Sequence, residues 1–271
     1  MTARTQRTRD GAAPLSRDEA AARWEAYWSD HEAAGYVNVT PQLVETLQTH
    51  VELRGARVLE IGAGTGGNAV KLAALGARVT AVDLAPSALA RITETADAAG
   101  VHMDVVAADA AALPFAAGSF DVVYHQGFLE HFHDPLPLVR EQHRVLRSGG
   151  YLLVDVPQQY NWYTVHKRRL MRAGRWSYGG WECEFSLAEL KGLLQREGFG
   201  VIDAYGRGYY PRPLEMLRNL GKIEQKLLRR HDPPSGVWRW YDARWRRFER
   251  TWLGCNTLQC VGVLARAEEV T

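Results

Sequence analysis

Two stretches of the chain carry residue types that can do chemistry at a useful spacing. In Glu60-Ile-Gly62-Ala63-Gly64-Thr-Gly66-Gly67, glycines crowd the point where a short apolar run gives way to a helical pattern. Glycine there permits a tight turn and lets backbone N–H groups approach a ligand with no Cβ in the way. Gly62, Gly64 and Gly67 also satisfy the GxGxxG dinucleotide pattern, so the loop alone does not choose its ligand. Asp83 closes the next apolar run, about twenty residues on, where a carboxylate can accept hydrogen bonds from both hydroxyls of a ribose. Asp109 closes the third run and is placed to accept from an adenine amino group. Taken singly, each acid also suits a solvated cap of the turn that follows it. Together they mark successive strand ends, where open α/β sheets bind ligands. The second stretch, His125-Gln-Gly-Phe-Leu-Glu130-His131-Phe-His133, gathers imidazoles and a carboxylate, groups suited to moving a proton near neutral pH.

The elements that must position these residues follow a regular order. Arg57–Ile61, Arg78–Val82, Met103–Ala107, Phe120–Tyr124 and Tyr151–Asp155 read as short strands. Helical patterns lie at 67–75, 86–99 and Asp134–Arg147, the last with Asp134 as cap and Pro135 in the first turn. Such alternation indicates βαβ units and a parallel sheet covered by helices on both faces. The expected fold class is therefore α/β, a doubly wound, Rossmann-like sheet. Two helices precede it in residues 16–54, one of them carrying Trp24, Tyr27, Trp28 and His31 as an aromatic stripe. The strand–helix rhythm stops over 157–181 and resumes with the capping box Ser186–Glu189 and a strand at Phe199–Tyr205. It stops again over 206–254, and Thr257–Arg266 reads as a final strand. Residues 1–15 form a polar tail without the apolar core of a secretory signal.

The combination Val58-Leu-Glu-Ile-Gly-Ala-Gly-Thr-Gly66, Val82-Asp-Leu84, Ala108-Asp109 with Leu113-Pro-Phe115, Phe120-Asp-Val-Val123, Leu129-Glu-His131 and Val145-Leu-Arg-Ser-Gly-Gly150 resembles a class I S-adenosylmethionine-dependent methyltransferase. The branch it most resembles includes the ubiquinone- and menaquinone-type enzymes and many natural-product methyltransferases. The resemblance is strong over roughly residues 55–156 and looser beyond. It implies S-adenosyl-L-methionine as cofactor and a seven-stranded, mostly parallel sheet whose last strand is antiparallel. It also implies that Gly62, Ala63 and Gly64 pass beneath the methionine part of the cofactor, with Glu60 orienting the loop or its ammonium end. Asp83 would hold the ribose, and Leu84 would pack on the adenine. Asp109 and the Ala110 backbone would read the adenine edge, and His125 would sit beside the sulfonium.

For methyl transfer the main requirement is alignment of a nucleophile with the methyl group, worth about 7–11 kcal/mol, with a general base adding about 10²–10⁴-fold. His131 is the first candidate for that base, with Glu130 fixing its tautomer; His133 beside Asp134 suits the helix cap. Tyr160, Asn161 and Tyr163 are placed to line an acceptor pocket. Tyr163-Thr-Val-His-Lys167 spells the YxxxK of short-chain dehydrogenases, but its neighbourhood reads instead as a solvated basic helix. No Asn-Pro-Pro-Tyr-like clamp, nucleophilic cysteine loop or paired-aspartate magnesium motif is present, so neither DNA-base methylation nor a metal is expected. A nicotinamide-dependent oxidoreductase and a non-catalytic adaptor remain the alternatives.

Charge is unevenly spread. The chain of 271 residues has a formal charge of only +2, and hydrophobic residues make up 46% of it. That excludes a wholly disordered or collagen-like chain and gives no overall field for nucleic acid. Yet residues 157–180 carry +5 and residues 205–254 carry +7, so the remainder sums to −10. Seven of the nine tryptophans lie in these segments once Trp181 is included. The resemblance to class I methyltransferases implies that these insertions, after the fifth strand and around the sixth, cover the acceptor site. Within 237–253, Trp238, Tyr241, Trp245, Phe248 and Trp252 recur at helical steps. This helix is read as packing on the domain, with a lid over an anionic or lipid-like acceptor, in its extreme form a membrane-surface helix, as the alternative. RNA binding by the same arginines and aromatics ranks last, because no RNA-binding module accompanies them. Cys183, Cys255 and Cys260 read as reduced thiols of a cytoplasmic protein. The expected partner is a small-molecule or lipid-like acceptor, with O-methylation favoured.

Overall fold

A computed structural model describes residues 16–30, 39–173, 175, 182–208 and 236–268. Seven strands form one sheet: β1 (Arg57–Ile61), β2 (Arg78–Asp83), β3 (Asp104–Ala107), β4 (Phe120–Gln126), β5 (Leu146–Pro157), β6 (Phe199–Arg207) and β7 (Cys260–Ala267). Their spatial order is β3-β2-β1-β4-β5-β7-β6. The first five run parallel, and β7 lies antiparallel between β5 and β6. The expected doubly wound sheet with an antiparallel last strand is what forms. Because the order reverses between β1 and β4, the crevice outside their carboxyl ends is where such sheets take ligands.

Alternation along the strands feeds two apolar layers. One gathers Leu43, Leu47, Val58, Leu72 and Ile92 beneath α2 (Pro41–His50), α3 (Gly67–Ala74) and α4 (Pro86–Ala99). The other gathers Val123, Leu138, Val154, Leu190 and Val263 beneath α5 (Leu136–Val145) and α7 (Leu187–Arg196). Local signals set the helix ends. Ser186 and Glu189 close a capping box at α7, and Ser16 and Glu19 make the same reciprocal bonds at α1 (Arg17–Asp30). Pro86 opens α4, and Gly100, at φ +64°, ends it.

The structure corrects three expectations. The helix expected around Tyr163–Lys167 is α6 (Trp162–Arg172), which starts where the Asn161 side chain accepts a 2.9 Å hydrogen bond from the Thr164 amide. It is not the solvated helix expected, because its buried positions include Thr164 and Lys167. The aromatic repeat over 237–253 does not lie on one helix: α8 (Gly236–Glu249) ends, and Thr251 caps a separate α9 (Trp252–Thr257) by accepting from the Gly254 amide. The final strand accordingly begins at Cys260, not Thr257. Within α8, Tyr241, Trp245 and Phe248 are half-buried while Trp240 is exposed. Trp238, Trp181, His31 and the tail 1–15 lie outside what the structure describes at side-chain level. Among the described residues, no helix is long and apolar enough to cross a membrane.

Candidate active site

β1 delivers its last residues to the crevice and then turns sharply. Gly62 (φ +64°) and Gly64 (φ +54°) occupy left-handed backbone that glycine alone adopts cheaply. The loop is tied to β2 at two levels. Gly62 N–H donates to the Val82 carbonyl at 2.9 Å, and Gly64 N–H donates to Asp83 Oδ2 at 3.1 Å. Asp83 Oδ1 accepts from Ala85 N–H at 3.1 Å, so one carboxylate spans the glycine loop and the start of α4. Burial holds its carboxyl above the usual range, against the backbone donors that favour the charged form.

Glu60, also buried, accepts from Ala69 N–H at 3.1 Å and so fixes the first turn of α3. That contact belongs to the loop-orienting role among the two expected of it. Burial pushes its carboxyl up to about 8. Ala63 is buried and Leu84 half-buried beside these acids. Asp109 accepts from Ala111 N–H at 2.9 Å, capping its own turn, with Ala110 buried next to it.

At the end of β4 the histidine-rich stretch divides. His125 is fully buried beside Gln142, its ring 5.5 Å from that of Phe128, and burial pushes its imidazole down to about 3. The ring of Phe128, which also lies over Gly62, is what stands between His125 and the glycine loop. Glu130 and His131 sit in the 3₁₀ turn Leu129–His131 and have different surroundings. Glu130 is buried near Glu182, Lys167 and Asp155, and burial pushes its carboxyl up to about 8. The imidazole of His131 stands edge-on to Trp24 at 4.7 Å. Asp134 accepts from Leu136 N–H at 3.1 Å, but the N-cap position of α5 is Pro135, one residue later than expected. Of the acceptor-pocket candidates, Tyr160 is exposed, Tyr163 half-buried, and Asn161 is committed to capping α6.

Several functional neighbours escape a reading of the sequence. Thr40, Asn68 and Gln126 form a polar knot: Asn68 Oδ1 accepts from Thr40 N–H at 2.8 Å, and Gln126 Oε1 accepts from Asn68 Nδ2 at 2.9 Å and Thr40 Oγ1 at 2.7 Å. It ties α2, α3 and β4 together behind the loop. Lys167 is not on a solvated face: only 2% exposed, it bridges Glu182 at 2.7 Å and Glu184 at 3.0 Å. Cys183, between those acids, donates its N–H to the Glu130 carbonyl at 2.9 Å, which joins the first insertion to the histidine turn. At the tip of β5, Asp155 receives Arg207 bidentately at 2.7 and 2.6 Å and the Tyr205 hydroxyl at 2.9 Å. No local spacing announces these partners, since each lies in a different element.

A sheet of this order, with a glycine turn after β1 and an acid ending β2, defines a class of nucleotide-cofactor-binding enzymes. Comparison with known proteins narrows it. A family model for a methyltransferase domain matches residues 59–154. Ubiquinone biosynthesis O-methyltransferase of Azotobacter vinelandii is 36% identical over 210 residues, covering 73% of this chain and 88% of that protein. The 27-O-demethylrifamycin SV methyltransferase of Amycolatopsis mediterranei is 32% identical over 197 residues, covering 69% and 70%. Magnesium protoporphyrin IX methyltransferase from Synechocystis, solved with bound S-adenosylhomocysteine, has the same fold at a TM-score of 0.57 and 12% identity, covering 95% and 90%. The chain belongs to the class I S-adenosylmethionine-dependent methyltransferases. It is an enzyme that uses S-adenosylmethionine as methyl donor, and the oxidoreductase and adaptor alternatives find no support in these relatives.

Proposed function

We propose that the chain O-methylates a hydroxyl group of a small, largely apolar acceptor. The observation that carries this reading is that relatives above 30% identity over most of their length are O-methyltransferases acting in ubiquinone and rifamycin synthesis. Exposed Tyr160, Trp162, Trp240 and Trp252, all in the two insertions, support an acceptor with lipid-like character. Contact with a membrane surface through 237–253 is part of the same reading, since such aromatic side chains suit that interface.

The residues of the crevice fit the cofactor. Asp83 accepts from the backbone N–H groups of Gly64 and Ala85, and its carboxylate has lone pairs beyond these for a ribose hydroxyl. Leu84 supplies apolar surface for the adenine, and Asp109 with the Ala110 backbone supplies polar atoms at its edge. Over Gly62 and Gly64, the atoms nearest to where a Cβ would stand are ring atoms of Phe128 and Trp28, so movement of these side chains opens the cradle.

S-adenosylmethionine supplies a methyl carbon on a positively charged sulfur that departs as a neutral thioether. The acceptor hydroxyl is aligned with that carbon and loses its proton to His131 as the oxygen–carbon bond forms. Contact with Trp24 limits how the imidazole can turn, and so holds the base toward the acceptor. Glu130, in its own buried surroundings, acts on the backbone of the turn rather than on the His131 tautomer.

Incubation of the protein with S-adenosylmethionine and a panel of phenolic, ring-hydroxyl and amine acceptors, read by mass spectrometry, tests the reading. Hydroxyl products are expected; transfer confined to amines or carbon would overturn it. With a hydroxyl acceptor, His131→Ala should lower kcat by about 10²–10⁴-fold. An unchanged kcat would remove His131 from the role of base.

A further inference from the structure

The glycine loop is not bare. A Cβ placed on Gly64 would lie 2.6 Å from Cζ2 of Trp28, and one on Gly62 would lie 2.5 Å from Cδ2 of Phe128. Any molecule laid across these glycines must therefore take the place of two aromatic rings. Phe128 belongs to the loop after β4, but Trp28 comes from α1, outside the sheet and its crossovers.

α1 rests against α4, and Glu25 ties the two together. Glu25 Oε2 accepts from both the amide and the hydroxyl of Ser87, at 3.0 and 2.9 Å. Ser87 lies in the first turn of α4, where amides lack helical partners and the helix dipole favours a carboxylate. Three residues after Asp83, that first turn begins the region expected to face the ribose and adenine. One residue before Glu25, Trp24 meets His131 edge-on at 4.7 Å, and Tyr27 stacks edge-on against both tryptophans, at 5.6 and 5.0 Å. A single helix thus touches the cofactor loop through Trp28, the adenosine side through Glu25 and the base candidate through Trp24.

We propose that α1 is a wall of the cofactor site that opens and closes: Trp28 yields its place over Gly64 to the methionyl arm and packs against it from outside, and the Glu25–Ser87 contact is the latch. This rests on the glycine loop being the cofactor site. Trp24 carries the same movement to the histidine turn, so the base is held in place when the cofactor side is covered. The aromatic stripe of the N-terminal helix is then a functional surface rather than ordinary core.

A latch has a kinetic signature that a merely structural contact lacks. Weakening it exposes the loop more often, so ligand enters faster and also leaves faster. Surface plasmon resonance on the full chain, with S-adenosylhomocysteine as probe, separates the two constants. Glu25→Ala, a change that favours helix, should raise both association and dissociation rate constants by about threefold to tenfold. Trp28→Leu should weaken affinity about tenfold, chiefly through faster dissociation, and Trp28→Phe should restore most of it. An association rate that stays constant or falls in Glu25→Ala, or no loss in Trp28→Leu, overturns the lid. If the wild-type chain shows no binding of the probe, the cofactor reading of the glycine loop fails, and the lid with it.

Discussion

Lys167→Met is expected to destabilise the fold by about 3–5 kcal/mol, the cost of leaving buried Glu182 without its cation, while Glu184 keeps Arg168 at 2.9 Å. Lys167 is 2% exposed and holds Glu182 and Glu184, which are 9% and 7% exposed. Burial pushes its ammonium pKa down, but the two carboxylates outweigh burial and hold it above the ordinary value. Methionine keeps the length of the side chain and removes only the charge, so the loss reports electrostatics rather than a cavity. Thermal unfolding should fall by about 10 °C for a chain of this size. Adding Glu182→Gln and Glu184→Gln should recover most of that loss, because neutral partners no longer need a cation. A single variant as stable as wild type would mean that the triad is not closed in solution. The functional reach of the triad is short: the N–H of Cys183, between its two acids, meets the carbonyl of Glu130.

Asp155→Ala should cost a similar amount, about 3–5 kcal/mol. Asp155 is fully buried and is the counter-ion of Arg207, whose side chain is 19% exposed. Alanine would strand the guanidinium and leave the Tyr205 hydroxyl without its acceptor. Tyr205 cannot easily move away, because its ring already fills the space beside Gly262, where a Cβ would stand 2.2 Å from Cζ. β5, β6 and β7 are joined at this point, with Asp155 and Tyr205 both in register with Gly262. Chemical denaturation of the variant measures the loss. Asp155→Asn should be milder, since its amide oxygen can still accept from Tyr205 or Arg207.

The sheet is legible in the sequence because its signals are local. Each parallel strand is a short apolar run that ends in a turn signal, and Asp83 and Asp109 stand where those runs stop. The glycines of the first turn are demanded by backbone angle, so their spacing alone marks the loop. What cannot be read depends on partners far along the chain. Lys167 looks solvated because the acids that bury it come 15 and 17 residues later, in another element. Arg207 and Asp155, 52 residues apart, meet only because β7 inserts between their strands. Helical spacing gives Trp24 and Trp28 a face, but cannot say that the face covers a glycine loop rather than core. In the same way, spacing runs the aromatic repeat through residue 252, whereas Thr251 stops it by capping a new helix.

The central claim is that S-adenosylmethionine lies across Gly62–Gly64 with its ribose on Asp83. Calorimetric titration of S-adenosylhomocysteine into wild type and Asp83→Ala, with NAD as a control ligand, tests it most directly. Binding to wild type, an affinity at least about tenfold lower in the variant, and no binding of NAD are the expected results. An affinity unchanged by Asp83→Ala, or NAD bound in place of S-adenosylhomocysteine, would contradict it.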